Sequence, residues 1–268
     1  MHRNYRLPRA VFRYIRIAVL LYILLFVALG SWVTRSISTD WERPLWVNVY
    51  PINGDGSAET ARYIGQLTRR QFDPVLRFFE REARRYGHAV DQPVGIHLGA
   101  EIGERPPPPP ASGNVLARVW WSLKLRYWTW AATRDDDLPT PDVTVFMVYF
   151  QATDGRVLEA SLGLSKGMVG VVNAFASRRQ RGANQMVLAH ELLHTLGATD
   201  KYSLDTGLPL FPDGYAEPDR KPLLPQSKTE IMGGRRPVDE YWAEIPSSLK
   251  RVIIGPVTAL EVGLLEPG

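Results

Sequence analysis

The sequence contains no cysteine among its 268 residues. This absence excludes a disulfide-stapled scaffold, a cysteine-ligated zinc site, an iron–sulfur cluster and a cysteine nucleophile. Hydrophobic residues make up 45% of the chain and charged residues 22%, which are ordinary values for a globular protein and exclude wholesale disorder. The length is sufficient for a buried core.

Acidic residues are almost missing from the first forty positions, which hold six arginines and one acid, Asp40. Subtracting these from the totals of 32 Lys and Arg and 28 Asp and Glu leaves 26 basic and 27 acidic residues in 41–268. The body of the protein is therefore close to neutral. The high pI of about 9.3 comes from the N-terminus, so we expect no nucleic-acid partner.

Residues 17–34 carry no charge and follow five arginines in the basic segment 1–16. A helix of this length measures about 27 Å, close to the thickness of the bilayer core. The pattern predicts a transmembrane signal anchor with residues 1–16 in the cytoplasm, followed by a linker over 35–44. A cleaved signal peptide is the alternative, because Ala28-Leu29-Gly30 resembles a signal cleavage site and cleavage near Gly30 would release a secreted domain. Both interpretations place residues 45–268 outside the cytoplasm, in the periplasm or the extracellular space.

Hydrophobic patterning predicts one domain over 45–268. The predicted strands cover residues 45–52, 93–99, 142–150, 157–163 and 167–175, and the predicted helices cover 57–86, 182–197 and a short stretch near 239–251. Ser57 and Asp73 are the expected helix caps, so 57–86 is one long helix or two abutting helices. This order predicts an α/β (α+β) domain in which a mixed sheet packs on one side against two helices.

An insertion over about 100–140 interrupts this pattern with five prolines, Pro106–Pro110, and the tryptophan-rich stretch 119–130. The tryptophans alternate with Arg118, Lys124 and Arg126. We favour a membrane-interface helix for this stretch, while a wall of a substrate cleft and a surface that stacks single-stranded nucleic acid are the other functional interpretations. A helix that packs against the core explains the same residues.

The segment HELLHTLGATDKY, residues 190–202, has the spacing of a metal site. His190 and His194 are four residues apart, so on a helix they project from one face and can chelate one zinc ion. Glu191 lies beside them, where it can reach a zinc-bound water without binding the metal. Zinc lowers the pKa of that water towards 7 and a carboxylate can then accept its proton. This chemistry is metal-assisted peptide hydrolysis.

The third ligand must be a carboxylate, because no histidine follows His194. Gly197 can end the helix in the left-handed conformation and turn the chain back, which would bring Asp200 to the metal. Glu217 and Glu230 are the alternative ligands. Residues 201–237 are rich in Pro, Gly and Asp, so we expect this segment to be mostly loop.

The sequence HELLHTLGATD resembles the metzincin signature HExxHxxGxxH/D, in the variant with Asp as the third ligand. The resemblance extends over about residues 45–250, since the predicted strand order is similar to that of the metzincin upper subdomain, a mixed twisted sheet with a long first helix and an HExxH helix. It implies one catalytic zinc ion, bound by His190, His194 and Asp200, and a Met-turn that contains Met232. The departures are the Asp ligand and the insertion rich in Pro and Trp.

The resemblance also implies a substrate geometry. The strand at 157–163 would be the antiparallel edge strand that lines the cleft, and a peptide would add to it as a further strand. Tyr241, after the Met-turn, and Tyr202, after Asp200, are the candidates for stabilising an oxyanion. The protein would then be a membrane-anchored zinc endopeptidase that hydrolyses peptides or proteins outside the cytoplasm.

Two other classes of protein fit the same residues. A non-catalytic zinc-binding or interaction protein would bind zinc without Glu191-dependent cleavage. A tethered cell-envelope binding module would act through the insertion at 100–140 and hold no stoichiometric zinc. A Ca²⁺ site at Asp205, Asp213 and Asp219 is a further interpretation, although their spacing matches no known calcium loop and a solvated acidic loop explains them as well.

Overall fold

The computed structural model describes residues 41–110, 114–153, 155, 158–159, 161–164 and 168–266, together with Tyr14, Arg16, Ile17 and Leu21. The residues from Trp41 onward belong to one compact unit. The predicted signal anchor, 17–34, and the cleavage site near Gly30 lie outside the described residues except for Ile17 and Leu21. Within the described ranges, no helix has both the length and the apolar character needed to span a bilayer.

A five-stranded sheet forms the centre of this unit. Its strands are β1 (Leu45–Asn53), β2 (Val94–Leu98), β3 (Val143–Phe150), β4 (Leu162–Leu164) and β5 (Val169–Phe175). Their order is β2-β1-β3-β5-β4, with all pairs parallel except β4 with β5. The predictions for β1, β2, β3 and β5 are confirmed to within two residues. The apolar strand β3 lies at the centre of the sheet, as its sequence indicates.

The edge strand is antiparallel, as predicted, but it is shorter than 157–163 and lies closer to β5 in the sequence. Asn173 of β5 explains the difference. Its backbone N–H donates to Ser161 Oγ over 3.0 Å, and its side-chain amide donates to the carbonyl of Glu159 over 3.2 Å. Side-chain hydrogen bonds therefore attach the segment before Leu162 to the sheet, and ladder pairing begins only at Leu162.

Five α-helices accompany the sheet in the described part of the domain. They are α1 (Ala58–Ile64), α2 (Asp73–Arg85), α3 (Val115–Thr133), α4 (Arg181–Leu196) and α5 (Pro256–Glu261). Ser57 caps α1 as predicted, since its side chain accepts from Thr60 N. Asp73 does not cap α2, because a 3₁₀ turn over Arg69–Phe72 leads directly into the helix and Asp73 already has helical φ and ψ. The region 57–86 thus holds two helices joined by this turn.

The predicted helix near 239–251 is wrong. A short hairpin of β7 (Arg236–Pro237) and β8 (Ala243–Glu244) and a 3₁₀ turn (Leu249–Arg251) occupy this stretch. Asp239 makes the hairpin turn by accepting from Tyr241 N, and Pro246 has no N–H for a helix. The remaining strands, β6 (Thr229–Glu230) and β9 (Val252–Ile253), pair in parallel.

The two faces of the sheet have separate cores. Val145 and Met147 of β3 face the side packed by α2 and α4, whereas Phe146 and Val148 face the side packed by α3. Two helices on one face agree with the prediction. The insertion at 100–140 contributes α3, which covers the second face and completes three layers. This confirms, of the interpretations of the tryptophan-rich stretch, the helix that packs against the core.

Candidate metal centre

Helix α4 carries the histidines of the motif and ends as the sequence predicts. Gly197 follows it with φ 109° and ψ 5°, a left-handed conformation that favours glycine. The N–H of Ala198 donates to the carbonyl of Leu193, which closes the helix end. The chain therefore reverses after α4 and returns Asp200 towards His190 and His194.

Three ligand atoms converge at this point. His190 Nε2 lies 3.0 Å from His194 Nε2, His194 Nε2 lies 3.1 Å from Asp200 Oδ1, and His190 Nε2 lies 3.2 Å from the same oxygen. Neighbouring ligands of a tetrahedral zinc ion with bonds of about 2.0 Å are about 3.3 Å apart. The triangle therefore has the size of one face of a zinc coordination tetrahedron, and these three side chains could hold a metal ion.

The outer nitrogens of both rings determine which tautomer is present. His190 Nδ1 lies 2.9 Å from the carbonyl oxygen of Ile231, and His194 Nδ1 lies 2.8 Å from that of Ala198. A carbonyl oxygen only accepts hydrogen bonds, so each Nδ1 carries a proton and donates. In the neutral ring Nε2 then presents a lone pair. Two lone pairs and a carboxylate oxygen thus meet within 3.2 Å, an arrangement that suits a cation.

Asp200 interacts with both rings, and this changes the acidity of groups at the site. Burial raises the pKa of Asp200, but the interactions with His190 and His194 outweigh it and hold the pKa of this carboxyl well below its usual range. Burial lowers the pKa of His194, and its bonds to Asp200 and to the Ala198 carbonyl outweigh that effect and raise the pKa overall. Asp200 is therefore a carboxylate at neutral pH, as a metal ligand must be.

The structure separates the three candidates for the third ligand. Asp200 contacts both histidines. Glu217 instead accepts hydrogen bonds from the N–H and hydroxyl of Ser227. Glu230 is fully buried and accepts from two backbone N–H groups and from Thr258 Oγ1. Both glutamates are thus engaged elsewhere.

Glu191 is buried beside the triangle, with 6% of its surface exposed. Its Oε2 is buried and has no hydrogen-bond partner among the described residues. Burial raises the pKa of Glu191 and outweighs the opposing effect of the two neighbouring histidines. A buried oxygen without a protein donor is available to a water molecule or a substrate.

Strand β4 lies directly against this carboxylate. A Cβ on Gly163 would come within 2.6 Å of the Glu191 carbonyl oxygen and 2.6 Å of His194 Cβ, and within 3.2 Å of Glu191 Oε2. Only glycine fits this approach of the edge strand to α4. The sheet edge and the general-base candidate are therefore neighbours, as the predicted cleft requires.

A cleft of about 560 Å³ opens in front of these residues. Its lining comes from the segment 158–161, from α4 and the residues that precede it, and from the loops around Gly233 and Pro246; it includes His190, Glu191 and Tyr202. No residue of α3 is in this lining, so the tryptophan-rich helix is not a wall of the cleft. The cleft therefore reaches His190 and Glu191 of the candidate metal centre.

The turn that contains Met232 contacts the metal site through its backbone. A 3₁₀ turn, Ile231–Gly233, places the Ile231 carbonyl on His190 and the Met232 carbonyl on Lys201 N, the latter over 2.9 Å. Met232 itself is fully buried. The sequence singles out Met232, whereas the hydrogen bond to the first histidine comes from Ile231.

The two tyrosine candidates have different surroundings. The ring of Tyr202 lies 6.3 Å from that of His190, between centroids, and lines the cleft. Burial and the negative charge of nearby Asp200 raise the pKa of Tyr202 to about 12. Tyr241 is 85% exposed and does not line the cleft. The structure therefore brings Tyr202, and not Tyr241, to the site.

An ion pair that the sequence does not indicate holds the segment before Asp200. Lys201 is buried, and its Nζ lies 2.8 Å from Glu261 Oε2 and 2.9 Å from the carbonyl of Thr199. Glu261 also accepts from Thr199 N and Oγ1. The partners are 60 residues apart, and no local pattern predicts their contact.

The structure does not bring the three aspartates of the alternative calcium interpretation together. Across the ranges that the structure describes, the triad of His190, His194 and Asp200 is the group of three His, Asp or Glu side chains that could hold a metal ion. Asp205, Asp213 and Asp219 form no such group.

The chain matches no protein-family model, and a search of curated proteins finds no match of significance.

Proposed function

We propose that the protein is a zinc-dependent endopeptidase similar to the metzincins, with His190, His194 and Asp200 as zinc ligands and Glu191 as the general base. One observation carries the proposal. Three electron-pair donors converge within 3.2 Å, beside a buried carboxylate oxygen that has no partner among the described side chains. Two histidines that only pack in the core would not require a shared carboxylate and a second buried carboxylate beside them.

The protein's own groups have distinct roles in hydrolysis. A zinc ion bound there lowers the pKa of water towards 7 and polarises a carbonyl group. Glu191 accepts a proton from the attacking water at Oε2 while the oxygen of that water bonds to the peptide carbon. Glu191 then delivers the proton to the leaving nitrogen as the C–N bond breaks. The proton balance therefore needs no second acid.

The edge of the sheet supplies a binding surface for the peptide. Strand β4 pairs on one side with β5 and forms the end of the sheet order. Its other edge is where an extended peptide would add as a strand, with backbone hydrogen bonds that are independent of side-chain identity. Gly163 holds this edge against Glu191, so a bound peptide bond lies near the general base.

The N-terminal sequence supports a location for this activity. The uncharged run 17–34, preceded by arginines, is typical of a signal anchor. We propose that it inserts in the membrane and that the catalytic domain faces away from the cytoplasm.

Zinc content tests the metal site and turnover tests the mechanism. We expect one zinc per full-length protein in the wild type and in Glu191→Gln, and loss of zinc in His194→Ala. His97→Ala is the matched control, because His97 stacks on Trp46, with ring centroids 5.0 Å apart, and has no part in the metal site. Glu191→Gln should lose peptide cleavage by about 10²–10⁴-fold.

The two alternatives give different results in the same measurements. A non-catalytic zinc protein would bind zinc in all variants except His194→Ala. Its wild type would cleave no member of a peptide library. Absence of stoichiometric zinc from folded wild-type protein would contradict the metal site and with it the proposed function.

A further inference from the structure

One face of α3 is apolar and exposed along its length. We call this face the outer stripe. Its side chains are between 50% and 79% exposed and comprise Leu116, Val119, Trp120, Leu123, Tyr127 and Trp130. The spacing of three and four residues places them in one row on the helix.

The opposite face of α3 already supplies the contacts that the fold needs. Leu125 is 1% exposed, and the Trp128 ring meets that of Phe146 edge-on at 4.7 Å. Trp121 packs on the same cluster and donates from Nε1 to the carbonyl of Pro107 over 2.9 Å. The outer stripe therefore has no role in the packing of the domain core.

The outer stripe is larger than an ordinary exposed apolar surface. Six large side chains, each at least half exposed, form a patch on the order of several hundred Å², whereas soluble monomers rarely expose contiguous patches above a few hundred Å². Scattered surface leucines need no explanation, but a continuous row of this size indicates a contact surface.

Charge identifies the kind of partner. Residues 114–134 contain four basic residues and no acidic residue. With 100° per residue, Lys124 and Arg126 lie about 80° to either side of the row. Lys124 is exposed, whereas Arg126 is half-buried and its Nε is buried. Three aspartates follow the helix, and Asp135 pairs with Arg134 over 3.3 Å at the helix end. The stripe itself is thus bordered by positive charge.

We propose that the outer stripe of α3 rests on the surface of an anionic lipid membrane. Tryptophan and tyrosine have an apolar ring with a polar edge and suit the interface between headgroups and acyl chains. The exposed Lys124 beside the row can reach an anionic headgroup while its stem stays on apolar surface. A second copy of the chain fits less well, because pairing two stripes would set basic flanks against basic flanks.

The absence of cysteine allows a direct test on the full-length protein. Leu123→Cys, labelled with an environment-sensitive fluorophore, reports on the stripe. Leu204→Cys is the matched control, since Leu204 is 83% exposed in the same domain and far from α3 in sequence. The protein is reconstituted in phosphatidylcholine vesicles with or without phosphatidylglycerol, and quenching by spin-labelled lipid is measured.

We expect lipid quenching at position 123 and none at position 204, and stronger quenching in vesicles that contain phosphatidylglycerol. The comparison within one domain separates contact of the stripe from simple tethering of the domain near the bilayer. The double substitution Trp120→Ser and Tyr127→Ser should reduce lipid quenching at position 123 about tenfold or more, because burial of apolar surface supplies the affinity of the stripe for lipid.

Two outcomes would overturn the proposal. Equal quenching at positions 123 and 204 would mean that the stripe has no preferred contact with lipid. Protection of position 123 that depends on protein concentration, and that is the same with and without lipid, would assign the stripe to a contact between two copies of the chain. Neither outcome bears on the zinc site, which is measured by metal content.

Discussion

The carbonyl oxygen of Ile231 accepts a hydrogen bond from Nδ1 of His190 over 2.9 Å, although 41 residues separate the two. This bond fixes the ring so that Nε2 points to His194 and Asp200. The next residue of the same turn, Met232, binds Lys201 N through its carbonyl. A single turn thus positions the first ligand and the segment that carries the third.

We expect Glu261→Gln to weaken zinc binding about 10–100-fold, the effect typical of groups that orient metal ligands. The change leaves the buried ammonium of Lys201 without its anionic partner and loosens the segment that carries Asp200. A chelator competition titration measures the affinity. Glu240→Gln, at an exposed position, is the control. Unchanged affinity in Glu261→Gln would mean that the ion pair does not position Asp200.

Gly163→Ala should lower kcat/KM for peptide cleavage about 10²-fold with one zinc still bound, because the added methyl group pushes β4 away from Glu191 and His194. The φ of Gly163 is not in the left-handed region, so the effect is one of space alone. Gly103→Ala is the matched control, since its Cβ would meet nothing within 4 Å. Full activity in Gly163→Ala would contradict substrate binding along β4.

Acid should remove a stabilising interaction at the turn after β1. Asp55 accepts from Ser57 N over 3.1 Å and from Gln151 N over 2.6 Å. Burial raises the pKa of Asp55, but these hydrogen bonds outweigh it and lower the pKa to about 2. The contribution of Asp55 is therefore complete above its unfolded-state pKa of about 4 and is lost as the pH falls from about 4 to about 2.

Unfolding by urea between pH 6 and pH 2 measures this contribution. Asp55→Asn should be less stable than the wild type at pH 6, because an amide offers one acceptor to two backbone donors, and the difference should shrink between pH 4 and pH 2. Asp91→Asn, at an exposed position, serves as the reference. A difference that stays constant across this range would show that the ionised form of Asp55 is not what stabilises the turn.

Local sequence patterns were sufficient to predict the three side chains that meet at the candidate site. The spacing of His190 and His194 on a helix and the left-handed Gly197 depend on neighbouring residues only, and the structure brings Asp200 to both histidines. The groups that hold these ligands could not be predicted in this way. Ile231 contributes a backbone carbonyl, which any residue has, and Lys201 finds Glu261 through tertiary packing.

In the fold, too, local sequence patterns predicted some elements, whereas tertiary contacts determined others. Apolar runs located four of the five strands, since burial on both faces leaves a clear sequence signal. The fifth strand began later than expected because Asn173 satisfies the preceding segment with its side chain. The apolar residues near 239–251 suggested a helix, but the turn at Asp239 and the proline at 246 favour a hairpin.

The short helix α5 has a consequence for the order of events during synthesis. Its last residue, Glu261, holds the Asp200 segment, and its first turn, through Thr258, holds Glu230 at the base of the Ile231–Gly233 turn. A nascent chain that has emerged only as far as Lys250 contains the whole HELLHTLGATD motif but neither of these attachments. The candidate metal centre is consequently completed late, when the chain beyond the motif has left the ribosome and folded back upon it.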